Sequence, residues 1–326
     1  MKAVRFHHTG GPDVLVFEDV ADPTPGPGEV LIKIEAVGLN FADVMRRRGD
    51  DYPDPSPPPF ILGAEVAGVI EGVGAGVELP LGTAVVATPG AGGYAQYICV
   101  PAATVIPLPE GLPAVQAASL LGHALTAAIA LKHSARLAAG ETVLVEAAAG
   151  GVGSFAVQLA KLYGAGKVIA AASTAEKRAK AESLGADASV DYTQPGWEDK
   201  VRELTGGKGV DVVLETAGGA IFGQALSAMA PFGRMVFIGQ SSGEPSVVEA
   251  WKLTVPNQSV TGFYIGGFLT VPNLFTDMMG EIMGFLMAGK LTINVGTVLP
   301  LSEAAEAHRL LEGRSTMGKV ILQPWA

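Results

Sequence analysis

The sequence predicts an α/β protein of two parts: a compact barrel-like β domain and a doubly wound domain built on a parallel sheet. Three observations predict it. The chain has 326 residues, the length of about two ordinary domains. Its N-terminal third carries short apolar runs broken by Gly and Pro clusters. From Thr142 onward, strand-like runs alternate strictly with helical patterns.

Lys2-Ala3-Val4-Arg5-Phe6 reads as an opening strand directly after Met1, so no secretory signal is expected. Further strands are expected over 30–37, 65–72, 83–88 and 94–100, separated by turn-forming stretches at 22–28 and 53–59. Closely spaced strands with such turns suggest a barrel. A helical segment is expected over 117–132. Its apolar stretch is interrupted by His123 and is expected to be too short for a membrane span. The alternating part then gives strands near 143–147, 168–172, 188–190, 210–215, 234–239 and 259–264. Helices fall near 152–162, 175–184, 197–204 and 221–229. The tail reads as a helix near 275–288, a short strand at 295–300, a helix at 302–312 and a closing strand at 318–322, which could complete the first domain.

Composition narrows the classes. Hydrophobic residues make up 48% and charged residues 17%, so the chain can bury a large core and is not disordered. A formal net charge of −10 argues against a nucleic-acid partner. The one cysteine, Cys99, permits no disulfide framework and no cysteine-based zinc site, and makes a cytoplasmic home the natural expectation. The five histidines are dispersed, so no metal centre is expected.

The most informative stretch is Val143-Leu144-Val145-Glu146-Ala147-Ala148-Ala149-Gly150-Gly151-Val152-Gly153. It reads as a buried strand, a tight turn and the first turn of a helix. Ala148-x-Gly150-x-x-Gly153 is a dinucleotide fingerprint with alanine at the first glycine place. Small side chains from Ala149 to Gly153 let a pyrophosphate approach the backbone, where the helix N-terminus offers free N–H groups. The second strand ends at Ser173, where enzymes specific for NAD place an acidic residue. A small polar residue leaves room for a 2′-phosphate, and Lys177 or Arg178 can neutralise it. NADPH is therefore expected over NADH. The plain alternative for both cations is a solvated helix face.

Several motifs together resemble one family. They are Ala36-Val37-Gly38-Leu39-Asn40-Phe41-Ala42-Asp43, Gly63-Ala64-Glu65-Val66-Ala67-Gly68, the Ala147–Gly153 turn, Gly185-Ala186-Asp187, Phe237-Ile238-Gly239 and Gly318-Lys319-Val320. The chain resembles the zinc-free medium-chain dehydrogenases/reductases of the NADPH:quinone oxidoreductase, ζ-crystallin-like branch. The resemblance implies a GroES-like β-barrel catalytic domain over 1–123 and 267–326, and a Rossmann NADPH-binding domain over 124–266, with the active site between them. Zinc-using relatives place Cys and His near the Gly-Leu-Asn and Gly-Ala-Glu segments. Here those neighbourhoods hold Asn40 and Ala64, and the four-cysteine lobe is missing.

Residue by residue, the resemblance puts nicotinamide-side contacts on Asn40, Phe41, Asp43 and Thr126, and pyrophosphate contacts on Gly151 and Val152. The 2′-phosphate neighbourhood falls on Ser173, Lys177, Tyr192 and Arg314. Thr216, Ile238, Gly239, Gln240, Ser241, Phe263 and Tyr264 match segments that line the cofactor. Tyr52 matches a tyrosine of the quinone cleft, in a loop one residue longer than the usual pattern, and packing is its alternative role. The implied catalytic set is Asn40, Tyr52 and Asp43. Asn40 would orient a carboxamide or substrate carbonyl, Tyr52 could return a proton, and Asp43 would order the loop and helix start.

The implied activity is hydride transfer from NADPH to a quinone. Reduction of an activated alkene (an enone, enal, haloacrylate or enoyl thioester) uses the same fold and donor. A non-catalytic nucleotide-binding role is the reading from another class. The run Arg46-Arg47-Arg48 is expected to be a solvated helix face, and Trp197 and Trp251 are expected to be packing residues. The strand at 259–264 could lie at a sheet edge, where relatives dimerise, so a homodimer is expected.

Overall fold

A computed structural model describes residues 1–54 and 56–326. The chain forms two compact units, Met1–Gly122 with Ile293–Ala326, and His123–Thr292.

The first unit is mostly β. Its central strand, Glu29–Gly38, buries Val30, Ile32 and Ile34 on alternate positions, which is what strand periodicity demands of a half-buried element. It pairs antiparallel with Val66–Val73 on one side. It also pairs with Tyr97–Pro101 and with the closing strand Lys319–Gln323. Val295–Pro300, Ala84–Ala87 and Val105–Pro107 complete a seven-stranded sheet. A smaller sheet joins Leu15–Asp19, Lys2–Phe6 and Phe60–Ile61. Their inner faces share one core with Phe6, Leu39, Leu62, Tyr94 and Leu322. The C-terminal segment therefore does complete the N-terminal domain.

The second unit holds a six-stranded parallel sheet. Its order is Ala188–Val190, Lys167–Ala171, Thr142–Glu146, Val210–Glu215, Met229–Phe237 and Ser259–Gly262. Numbered along the chain this is 3-2-1-4-5-6, the doubly wound order of dinucleotide-binding domains. The central strands are nearly continuous runs of Val, Leu, Ile and Ala because both faces are covered. Ser259–Gly262 lies at the sheet edge.

The structure departs from the sequence-based expectations at five points. The chain returns to the first unit after Thr292, not near 267. The reason is the helix Leu274–Met287, which packs on Leu125–Ile129 within the second unit, where Lys132 bonds Glu281. Gln158 also holds both backbone groups of Thr292. The apolar helical run is 21 residues long, Ala114–Ser134: a π turn at Leu120–Ala124 contains His123 and a second, Ala130–Ser134, ends the run; it is long enough for a bilayer, but 72% of its apolar window is buried inside the protein. The fifth sheet strand begins at Met229, before Pro231 and Gly233, with Phe232 at φ 64° absorbing the irregularity. Trp251 is not packing: it is 83% exposed, whereas Trp197 is buried and its indole donates to Gln224. Finally, the arginine run is not a solvated face. Arg47 is fully buried against Glu312, and Arg46 is held by Ser56, the Gly90 carbonyl and the Phe60 ring.

Candidate cofactor-binding and active site

In the second unit, the strand Thr142–Glu146 ends at Ala147, whose φ of 44° starts a tight turn. The Gly150 N–H donates to the Ala147 carbonyl at 2.7 Å and closes it. A Cβ at Gly153 would stand 2.3 Å from the Ala147 oxygen, so glycine is required for the helix to sit on its strand. A Cβ at Gly151 would enter the His123 ring, 1.9 Å from Cε1. The helix Gly151–Leu162 begins at Gly150 with no side-chain cap and no acidic residue in its first turn. Its first N–H groups are thus left for an anion.

Several of the predicted cofactor residues of this unit follow the ends of neighbouring strands of the parallel sheet. Ser173 is partly exposed beyond the end of Lys167–Ala171, and no carboxylate occupies its place. Thr174 caps the next helix by accepting from the Lys177 N–H. The Lys177 side chain is partly buried, and desolvation holds its pKa below the usual lysine value. Arg178, in contrast, is committed to Asp191 at 2.9 Å. Tyr192 packs against the core of this unit.

At the end of Val210–Glu215, Thr216 turns its backbone toward Ser241, whose N–H donates to the Thr216 oxygen at 3.1 Å. The Thr216 hydroxyl is buried with no hydrogen-bond partner among the described residues. Ile238 N–H donates to Glu215, and the Gln240 side chain accepts from Ser246, so the 238–241 segment is tied to the same strand end. Gly239 lies near the Thr216 oxygen, and Phe263 stacks on Phe268 beyond the edge strand, next to Tyr264. Thr126 is buried in its helix. Arg314 belongs to the first unit and is exposed, in a left-handed backbone conformation.

Beneath the turn lies a feature that sequence reasoning missed. Glu146 and Glu215, at the ends of adjacent central strands, are both fully buried. Glu146 accepts from the N–H groups of Thr216 and Ala217, and Glu215 from those of Ala217 and Gly218. Their remaining oxygens meet no other donor among the described residues. Burial first, and the neighbouring carboxyl next, push Glu146 well above the usual carboxylate range. Burial likewise raises Glu215. Two buried carboxyls so placed disfavour each other's ionisation.

The first unit holds the predicted catalytic residues. Asn40 precedes the helix Phe41–Arg48, whose start is capped from within: Asp43 accepts from the Asn40 N–H at 2.9 Å and from the Gly63 N–H at 3.2 Å. Asp43 is buried, with its pKa raised by desolvation. Both its oxygens accept from backbone N–H groups, which ties the helix start to the Gly63 loop. Phe41 lies beside the Arg48 guanidinium. Tyr52 is half-buried with Arg46 6.0 Å from its ring centroid, and burial, then the charges of Asp54 and Asp43, raise its pKa. Asn40 Oδ1 accepts from Lys319 Nζ at 2.9 Å, and the same ammonium donates to Glu65 at 2.8 Å. In the sequence, Glu65 and Lys319 stand out only as motif letters. A signal was available: a lone charge set beside or inside a run of buried apolar residues, as in Lys319-Val320-Ile321-Leu322 and Val143-Leu144-Val145-Glu146.

Two units of this architecture, one carrying a dinucleotide turn, define a medium-chain dehydrogenase/reductase. Residues 26–110 match the alcohol dehydrogenase GroES-like domain family, and residues 151–282 the zinc-binding dehydrogenase family. A quinone oxidoreductase of Pseudomonas aeruginosa is 36% identical over 99% of both chains. A 2-haloacrylate reductase of a Burkholderia species is 35% identical, again over 99% of both. The crystal structure of Escherichia coli quinone oxidoreductase complexed with NADPH superposes with a TM-score of 0.93 at 32% identity, covering 99% of this chain and 100% of that one. The chain belongs to the quinone oxidoreductase family of medium-chain dehydrogenases/reductases.

The second family description implies zinc, and the residues do not fit it. Asn40 and Ala64 offer no thiolate or imidazole, and Glu65 is already bound to an ammonium. Among the described residues no three His, Cys, Asp or Glu side chains converge as a metal site.

Proposed function

We propose that this chain is an NADPH-dependent, zinc-independent oxidoreductase that reduces quinones. The observation that carries the reading is full-length similarity to quinone oxidoreductases, one of them solved with NADPH. The chain's own residues fit that cofactor. An uncapped helix start suits a pyrophosphate, Ser173 leaves room at the second strand, and Thr216 Oγ1 is a buried hydroxyl with no partner among the described residues.

When bound, NADPH supplies a hydride from C4 of its dihydronicotinamide ring. The first helical N–H groups, from Gly151 and Val152, would hold the pyrophosphate. Lys177, with Ser173 and Tyr192, would hold the 2′-phosphate, with Arg314 a further candidate. Thr126, Thr216, the 238–241 segment, Phe263 and Tyr264 would line the remainder. Asn40 would donate a hydrogen bond to the carbonyl oxygen on which negative charge develops. Hydride addition leaves a quinol oxyanion, which takes one proton. Tyr52, a phenol and so protonated at neutral pH, could supply that proton and be refilled from water, although burial raises its pKa and makes it a weaker donor. No metal is asked to polarise the carbonyl.

The similarity to a 2-haloacrylate reductase favours a second reading, reduction of an activated C=C bond by the same hydride donor. The test is NADPH oxidation with 1,4-benzoquinone, 9,10-phenanthrenequinone, 2-alkenals and 2-chloroacrylate. Quinone turnover at the highest kcat/KM is expected. Turnover only of the alkenes would replace the first reading with the second. Turnover of none, with tight NADPH binding, would favour a non-catalytic nucleotide-binding protein. We further propose a homodimer formed through the edge strand Ser259–Gly262, and a cytoplasmic setting consistent with the single cysteine.

A further inference from the structure

We propose that Lys319 is the positioning residue for Asn40: its buried ammonium locks the carboxamide so that Asn40 presents N–H, not C=O, to a bound carbonyl oxygen. The inference deepens the reading of this site given above and rests on it for the identity of the bound molecule.

Three strands converge on the cluster. Lys319 opens the closing strand, Glu65 immediately precedes Val66–Val73, and Gly38 ends Glu29–Gly38. The Lys319 and Glu65 side chains are each only 1% exposed, and they pair at 2.8 Å. The second Glu65 oxygen accepts from the Gly122 N–H at 2.9 Å, so the carboxylate cannot swing. Anchored in this way, the ammonium reaches Asn40 Oδ1 at 2.9 Å.

The two ends of an asparagine amide look alike by shape alone. Here chemistry settles which is which. An ammonium only donates, so the atom facing it must be the acceptor, Oδ1. Nδ2 is thereby turned away from Lys319. It has two hydrogens, one of which lies toward the Gly38 carbonyl at a long 3.3 Å. The other is left for a ligand, and Asn40 is partly exposed where Lys319 and Glu65 are buried.

The surrounding glycines keep the arrangement close. A Cβ at Gly122 would stand 2.8 Å from both Asn40 Oδ1 and Glu65 Oε2. A Cβ at Gly38 would stand 2.6 Å from Lys319 Cε. A buried ion pair is a poor way to gain stability, because desolvation offsets most of its Coulombic attraction. Its use here is orientation: a fixed donor at the place where an oxyanion develops.

The test uses the full-length protein. Lys319→Met alone would leave Glu65 buried and uncompensated, so it is combined with Glu65→Gln, which removes both charges at nearly constant volume. Gly122→Ala crowds Asn40 while keeping both charges, and serves if the double variant does not fold. The first readout is the Asn40 side-chain amide in a ¹⁵N–¹H spectrum, assigned by its loss in Asn40→Asp. In the wild type two separate, narrow proton resonances are expected; in either variant they should shift and broaden. The second readout is kcat with 9,10-phenanthrenequinone, expected to fall about tenfold to a hundredfold with misplacement of the donor, while KM changes less. A folded variant with unchanged amide resonances overturns the proposal, as does one with altered resonances and wild-type kcat. If the wild type reduces no quinone, the functional reading fails separately, and the amide resonances still decide whether Lys319 fixes Asn40.

Discussion

At the scale of single residues, the cofactor preference rests on the side chains just past the second strand of the nucleotide sheet. Ser173 leaves space, Arg178 is spent on Asp191, and Lys177 is the cation in the expected place. Lys177→Ala should weaken NADPH binding by about 1.5–3 kcal/mol, the worth of one hydrogen bond to a charged group. Binding of NADH should barely change. Titration calorimetry of both cofactors checks this, and equal weakening would refute the assignment. His308 gives a second prediction. Burial first, and Arg47 next, lower its pKa from 6.5 to about 3, while its ring nitrogen meets the Tyr94 hydroxyl at 3.0 Å. Below pH 6.5 the unfolded chain takes up a proton that the folded one refuses, so stability falls as pH drops from there toward 3. The loss is about 1.4 kcal/mol per pH unit for the one proton. Urea unfolding at pH 6.5 and pH 5 should show a difference about 2 kcal/mol smaller in His308→Gln. An unchanged difference would mean that His308 titrates normally in the fold.

At the scale of elements, the Glu146–Glu215 pair joins the ends of the two central strands and supplies acceptors to the 216–218 backbone. Both carboxyls have raised pKa values, so above about pH 4.5 the fold keeps a proton that the unfolded chain has released. Stability is therefore lost as pH rises through that range toward the folded value. Glu146→Gln removes the ionisable carboxyl and keeps an acceptor for Thr216 and Ala217. Its stability should fall less than that of the wild type as pH rises above about 4.5, and parallel losses would show that Glu146 ionises normally in the fold. The same pair shows where sequence reading stops. The sheet order is legible because period and glycine turns act locally: 188–190, 197–204 and 210–215 fall where the pattern puts them. Glu146 reads as a strand letter because its partner lies on another strand, 69 positions of sequence away and adjacent only once the sheet forms. Lys319 and Arg47 escape for the same reason, being partnered across 254 and 265 positions. The domain return is misplaced because the Phe- and Met-rich helix 274–287 carries no letter that says which core it covers.

At the scale of the whole molecule, the open question with a structural handle is association. Ser259–Gly262 is an edge strand, and an unpaired edge is a template for another chain. The segment leading into it exposes Val247, Trp251 and Val255 at 75%, 83% and 86%. Trp251 and Val255 are four residues apart at a helix end, so they share a face. Leaving a tryptophan in water forgoes about 1.5–3 kcal/mol of burial, which a partner surface would recover. The expectation is a homodimer at micromolar concentration by sedimentation equilibrium, with the edge strands and these side chains in its interface. Trp251→Glu combined with Val255→Lys places charges on that face without touching the glycine turn, Asn40 or Lys319. A buried aromatic anchor is worth about 2 kcal/mol or more, so the dimer dissociation constant should rise by about thirtyfold or more. NADPH affinity per subunit should be unchanged. A wild type that sediments as a monomer at micromolar concentration refutes the dimer. A variant that stays dimeric with wild-type affinity places the interface on another surface.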